Sequence, residues 1–383
     1  MLSKFAQWVV KLPPHKKMAT VTFQNQGTGF MAALKQKTDA YFKANNISPY
    51  GNSALLGKTV IIFAMFITLY TWLVFFTPEN GWFALLLSVL FGCSMALIGF
   101  NIMHDGSHGS YSGNPKVNDM MAYTLNFLGG DAYFWKQKHV VNHHTYTNIE
   151  GMDDDLDAGM FFRFHHGQKR RGIHRFQHIY WVFLYGFLYF MWVLSKDMKK
   201  YLSQRISPNS PKFKFTVADH FIFWISKIVH LFLFIALPLI MVGSKMLIGY
   251  VVAAYTLGWI LSVVFQLAHV VDSAEFVTPT YTNDKEVIEN EWAIHQVKTT
   301  ADFGTNSAFL TWSLGGLNFQ VEHHLFPRIS HVHYPALNKI VKETCAEFGI
   351  PFLEHKTFLD ALKSHIRQLK VMGTEPEMVP AMA

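Results

Sequence analysis

Seven of the chain's twenty histidines fall in three short clusters: His104 and His108 in "HDGSH", His139, His143 and His144 in "HVVNHH", and His323 and His324 in "QVEHH". A neutral imidazole presents one lone pair to a metal and keeps one N–H for a second partner. On a helix, residues four apart project side by side, so His104/His108 and His139/His143 can each pinch an ion, while adjacent His143 and His144 diverge toward two different ions. An eighth imidazole, His269 in "FQLAHVV", closes a long apolar run. A lone His-x-x-x-His pair at such a place is ordinarily an interfacial or capping feature. Three clusters with a matching histidine at a helix end are not, because desolvating that many imidazoles without partners costs free energy at each one.

The elements that must carry these residues are apolar. Half of the 383 residues are hydrophobic and only 15% are charged, which is a membrane composition. Four stretches approach the ~20 residues that a bilayer core requires: Thr59 to Phe76, Trp82 to Met103, Ile225 to Val242 and Met246 to Ala268. The short turns "TPENG" and "GSK" join them into two hairpins. A fifth stretch, Gln177 to Ser195, has no charged residue but is rich in Tyr and Trp, which favour the headgroup level, and it reads as an interfacial helix. Parity agrees: a further crossing there would put the first cluster and His269 on opposite faces. "KRR", "KDMKK" and "KFK" lie between the hairpins, so the histidine face is cytoplasmic by the positive-inside tendency. The expected fold class is therefore an all-α integral membrane protein, four transmembrane helices in two hairpins with a cytoplasmic histidine-rich helical cap and interfacial helices. Its expected location is a bacterial inner membrane or the endoplasmic reticulum.

The net charge of +7 suits anionic membrane lipid and an acidic redox partner, and needs no nucleic acid. Cys93 lies in an apolar stretch and Cys345 far from it, with no Cys-x-x-Cys, so metal ligands must be nitrogen or oxygen. Iron, zinc and copper all accept such ligands. One hydrolytic zinc uses about three protein ligands, so eight imidazoles are more economically read as two ions, and as iron. The opening "MLSKFAQWVVKLPPHKK" is too short and too soon interrupted for a secretory signal. We expect a cytoplasmic arm over residues 1–56, helical from Phe30 to Asn45, a membrane domain over 57–348 and a cytoplasmic tail over 349–383.

"HDGSH", "HVVNHH" and "QVEHH" resemble the three histidine boxes of the membrane fatty-acyl desaturase family. The third, with Gln320 where other branches carry histidine and set in "GGLNFQVEHHLFP", resembles the front-end branch (delta-5/delta-6-like, linoleoyl-CoA desaturase-like). Members of that branch insert a double bond between an existing one and the carboxyl end, and the likeness runs from Phe30 to Glu347. It implies that His104, His108, His139, His143, His144, His269, His323 and His324 bind two iron ions, with O2 as co-substrate. It also implies a long, already unsaturated acyl-lipid or acyl-CoA substrate. Three roles stay open for Gln320: weak coordination through its amide oxygen, orientation of a water, or packing. His295 in "EWAIHQVKTT" is a further ligand candidate. No "HPGG" haem-binding stretch occurs, so the expected electron source is a separate donor such as cytochrome b5 or ferredoxin with its reductase. The chemistry needs such a centre, since an unactivated methylene offers neither an acidic proton nor a leaving group to ordinary side chains.

Asp105 and Glu322 lie inside boxes, and "MDDDLD" follows the second. Asp105, Asp154 and Asp155 are expected to hold imidazole N–H groups, against the plainer reading of the run as a solvated loop. Asn148 is placed similarly, and Gly315 and Gly316 would permit close backbone approach. His165, His166, His174 and His178, mixed with arginines, are read as facing headgroups. Two alternatives remain: a hydroxylase on the same scaffold, and a membrane metal transporter or receptor, for which histidines should instead line a path across the bilayer.

Overall fold

The computed structural model describes residues 21–24, 27–153, 155–156, 159–206, 210, 212–282 and 285–376. Helix α1 (Phe30–Asn45) forms over the expected residues, and residues 1–20 of the expected arm lie outside the described ones. Helices α2 (Ser53–Phe75) and α3 (Gly81–His108) form the first hairpin. Each starts on an asparagine whose side chain satisfies orphan N–H groups: Asn52 accepts from Leu55, and Asn80 from Trp82 and Phe83. Residues 132–146 form α4, which carries the second box. Three more long helices follow, α5 (Gly172–Ser203), α6 (Val217–Val242) and α7 (Met246–His269).

Among the described residues, five helices are thus long and apolar enough to cross a membrane, where the sequence suggested four crossings. The additional one is α5, the least apolar of the five. The charge-free stretch from Gln177 to Ser195 is only its middle. The helical path continues into "GIHRF" and "DMKKYLS" by way of two 3-10 turns and a π turn (Trp192–Lys196). Helix α5 packs against α7 so closely that a side chain on Gly258 would collide with the Gly186 carbonyl.

Beyond the hairpins, α8 (Trp292–Thr299), α9 (Gln320–Leu325), α10 (Tyr334–Glu347) and α11 (Phe358–Thr374) build the cap with α4. The fold is mostly helical as expected, and the described residues add two small sheets. Strand β1 (Thr22–Phe23) pairs parallel with β3 (Lys285–Ile288), which pairs antiparallel with β2 (Thr280–Thr282), and β4 (Asp302–Phe303) pairs parallel with β5 (Glu354–His355). The β4–β5 pair brings residues 349–376 onto the cap. There the fully buried Arg163 donates to the carbonyls of Met372 (2.7 Å), Glu375 (2.8 Å) and Gln168 (2.9 Å), fastening the end of α11. His365 Nδ1 donates to the Val270 carbonyl at 2.6 Å, next to His269. His165 and His174, read as facing headgroups, are instead buried on protein partners, His165 on Glu150 at 2.9 Å and His174 on the Met160 carbonyl at 3.0 Å.

Candidate metal centre

The three boxes and His269 converge. Helix α3 brings His104 and His108, and it reaches them through a π turn (Gly99–Met103). That wider turn sits against the loop before the third box, where Gly315 has φ +59° and any Cβ would collide with the Phe100 carbonyl. Helix α4 carries a second π segment (Lys136–His143) that includes His139 and His143. Insertions of this kind recur at functional sites because they re-aim side chains.

The ligand nitrogens of His104, His108, His139 and His323 lie within 4.8 Å of one another, and so do those of His143, His269 and His324. His144 falls between the groups, within the same distance of His323 and His324. His104 and His108 lie together in the first group. His139 and His143, expected to share one ion, are divided between the two groups, although Asp155 also brings them within one three-residue set. The π segment accounts for the division, since it breaks the α-helical phase on which the expectation rested. Gln320 Nε2 lies 3.0 Å from His269 Nε2 and 3.3 Å from His324 Nε2, so its amide borders the second group. His295 stands apart: its Nε2 donates to the Thr147 carbonyl at 2.7 Å and its ring meets Phe23 edge-on.

Each of the eight imidazoles is at most 6% exposed. Nε2 of His104, His108, His139, His143, His144 and His323 is buried without a hydrogen-bond partner. An unsatisfied buried polar group costs about 1–3 kcal/mol. Six of them together approach the whole net stability of a domain, ~5–15 kcal/mol. The cage therefore fits metal ions, which would take up those lone pairs.

Four of the opposite ring nitrogens have partners, whereas Nδ1 of His108, His144 and His269 is buried without one. His143 Nδ1 donates to Asp153 at 2.9 Å, His139 Nδ1 to Asp155 at 3.1 Å and His324 Nδ1 to Gln296 Oε1 at 2.8 Å, and His323 Nδ1 meets the Tyr334 hydroxyl at 3.2 Å. The three contacts to carboxylate and amide oxygens, which only accept, select the tautomer whose Nε2 lone pair is free, and the Tyr334 hydroxyl orients the His323 ring. Burial, reinforced by neighbouring imidazoles, holds His144, His323 and His324 well below the ordinary histidine pKa, which keeps them neutral. Burial also lowers His139, with Asp155 opposing it. At His143 burial is outweighed by the Asp153 charge and the pKa rises. Burial works against the Asp155 carboxylate too, but Lys138 and His139 hold it well below the carboxylate range.

Of the expected carboxylates, Asp155 holds a cage histidine, whereas Asp154 lies outside the described residues. Asp105 holds a different imidazole. Its Oδ2 lies 3.0 Å from His331 Nδ1 and accepts from Ser330 Oγ at 2.7 Å, tying the first box to the loop after the third. Asn148, at φ +53°, donates its side-chain N–H to the His269 carbonyl (3.0 Å) and its backbone N–H to Asp153 (3.0 Å). Sequence reasoning missed Asp153, Gln296 and Tyr334. It also missed the buried set in which Asn338 donates to Asp302 (2.8 Å) and Glu322 (3.2 Å) while Asp302 accepts the Val321 N–H (2.9 Å). Burial raises both carboxyls, Glu322 to about 7. The signals for Asp153 and Glu322 were their places in the acidic run and in the third box, and the others carried none.

Fold and site together define a class: a helical protein with membrane-length helices that support a buried, nitrogen-rich cage suited to two metal ions. Comparison narrows it, because the sequence model of the fatty acid desaturase family matches residues 80–356, and the chain belongs to that family. It is 38% identical over 359 residues to an sn-1 linoleoyl-lipid 6-desaturase of Arthrospira platensis, covering 93% of this chain and 96% of the relative. It is 37% identical over 357 residues to the enzyme of that name from Synechocystis sp., covering 91% and 96%. An acyl-lipid (8-3)-desaturase of Physcomitrium patens is 35% identical over 364 residues, covering 93% of this chain and 74% of the relative.

Proposed function

We propose that this chain is an oxygen-dependent, di-iron acyl-lipid desaturase of the front-end type, inserting a cis double bond on the carboxyl side of an existing one in a long acyl chain. The observation that carries this reading is the convergence of eight buried imidazoles, six of them with an unpartnered Nε2. The relatives' names supply the substrate class, an acyl chain esterified in a lipid. The balanced reaction converts –CH2–CH2– plus O2, two electrons and two protons into –CH=CH– and two waters.

His104, His108, His139 and His323 would hold one iron and His143, His269 and His324 the other, with His144 between them and Gln320 at the edge of the second. When bound, the iron pair supplies the oxidising power from O2 that no side chain has. The protein's own part is positional. Asp153, Asp155, Gln296 and Tyr334 lock ring orientation, Asn148 ties the end of α7 to the second box, and Asp105 ties the first box to the loop after the third. Burial keeps water out of the cage.

The topology read here has four crossings, α2, α3, α6 and α7, with α5 lying at the interface. His104 and His269 both sit at C-terminal helix ends in one cage, so the crossings between them must be even in number, and α5, α6 and α7 together would make three. Basic segments between the hairpins support a cytoplasmic cage. The described parts of the arm (1–56) and of the segment 349–383 belong to the same face, and electrons come from a separate donor such as cytochrome b5 or ferredoxin with its reductase.

The test is expression in a host fed defined polyunsaturated fatty acids, with double bonds mapped by gas chromatography and mass spectrometry. A new bond on the carboxyl side, lost in His143→Ala, is expected. An added oxygen, or no product with donor and oxygen present, overturns the reading.

A further inference from the structure

In the half of the bundle away from the histidines, α3 and α7 pack closely, a Cβ on Gly92 colliding with the Ala253 carbonyl, but the two hairpins leave a cleft beside that contact. Between α2, α3, α6 and α7 lies a cavity of about 930 Å³ that opens at the two tight turns and ends inward at Phe91, Met95 and Phe234. From Gly81 at its mouth to Met95 at its floor is fourteen residues of α3, which at ~1.5 Å per residue is roughly 21 Å. That exceeds one leaflet's half of a ~30 Å hydrocarbon core. The floor stops about 13 Å short of His104 by the same helical rise.

The cavity stands half open among membrane-length helices, and its walls lose dispersion contacts unless something from their surroundings fills it. Water does not suit it. The polar side chains within its walls are already served by protein, the Tyr70 hydroxyl donating to the Leu233 carbonyl at 2.6 Å and Ser88 Oγ to the Ala84 carbonyl at 2.9 Å. Apolar side chains such as Leu73, Leu85 and Ala253 dominate the rest of the wall. Charge appears only at the mouth, where exposed Lys245 and Glu79 stand at the turns.

We infer that this cavity binds one membrane phospholipid from the leaflet opposite the histidines, an acyl chain filling the interior and the headgroup phosphate meeting Lys245. The inference rests on the reading that these four helices cross the membrane. The lipid is a resident wedge between the hairpins, distinct from the substrate chain that must reach the cage on the other side. A phospholipid with an apolar chain and a zwitterionic headgroup, phosphate toward Lys245 and amine toward Glu79, matches the apolar shaft and the mixed-charge mouth, and the bilayer presents that molecule at the opening.

The test is native mass spectrometry of the full-length protein extracted in mild detergent, with retained lipid identified after organic extraction. Wild type should keep one phospholipid per chain. Ala84→Trp, which fills the shaft, should lower retention at least tenfold, and Lys245→Ala, an exposed change that does not threaten folding, at least threefold. Absence of retained lipid in wild type, or retention unchanged in both variants, overturns the inference. So does conversion of the retained acyl chain to product in a single turnover with reductant, because the cavity would then be a substrate channel. Product formation and iron content are measured on the same preparations. Product without retained lipid defeats this inference alone, and retained lipid without product defeats the desaturase reading alone.

Discussion

Replacing Asp153 by asparagine removes one charge and almost no volume from the support of the second histidine group. In the native protein Asp153 Oδ2 accepts from His143 Nδ1 at 2.9 Å and from the Asn148 N–H at 3.0 Å. The amide oxygen of Asp153→Asn keeps one of these bonds at neutral strength and loses the charge that stabilises the donor. A hydrogen bond to a charged group contributes about 1.5–3 kcal/mol. At ~1.4 kcal/mol per factor of ten, its loss weakens iron retention by roughly 10–100-fold, the range found for partners of metal-bound histidines. The assay is iron per chain by plasma mass spectrometry after equilibration with graded chelator, with circular dichroism as the folding check. The chelator concentration removing half the iron should fall by that factor. Asp119→Asn, which breaks only an exposed pair with Lys136, should leave it unchanged. An unaltered midpoint in Asp153→Asn would refute the claim that this carboxylate fixes the His143 tautomer.

Three further outcomes follow from the geometry. His295→Gln should keep the full iron content, whereas His269→Ala should lose the ion of the second group; equal losses in iron assays would contradict the separation of His295 from the cage. Burial lowers the His365 pKa to about 4, against ~6.5 in the unfolded chain. Between those values the unfolded state alone binds the proton, so stability is full above pH 6.5 and falls toward pH 4. His365→Gln should flatten unfolding stability over that window by about 1.4 kcal/mol per pH unit, and parallel pH curves for the two proteins would exclude the effect. Gly315→Ala forces a side chain into positive φ and onto the Phe100 carbonyl, a strain of about 1–3 kcal/mol. Lower melting temperature and lower iron content should appear together, and wild-type values for both would show that the α3 π turn tolerates the shift.

What the sequence disclosed was what local pattern encodes. Uncharged apolar runs gave α2, α3, α6 and α7, and the eight histidines were legible from type and spacing. The phase of the second box was not, because a π segment breaks the i, i+4 geometry that an α-helix would have imposed, dividing His139 from His143. Nor was the choice among the aspartates after that box. Asp153 reaches His143 because Asn148 takes a left-handed conformation and turns the loop back, a long-range outcome that spacing does not carry. Helix α5 was cut short by reading charge as a boundary when the backbone continues through it. The role of α11 depends on Arg163 and His365 meeting carbonyls far away in sequence, which no local motif announces.

The central claim is tested most directly by the mass of the product. The purified full-length protein, reconstituted in lipid bilayers with iron, oxygen and a reduced donor, would be given a linoleoyl lipid and its acyl chains analysed by mass spectrometry with double-bond mapping. A loss of two hydrogens with the new bond on the carboxyl side of the existing ones is the predicted result. A gain of one oxygen, or a new bond on the methyl side, would contradict it.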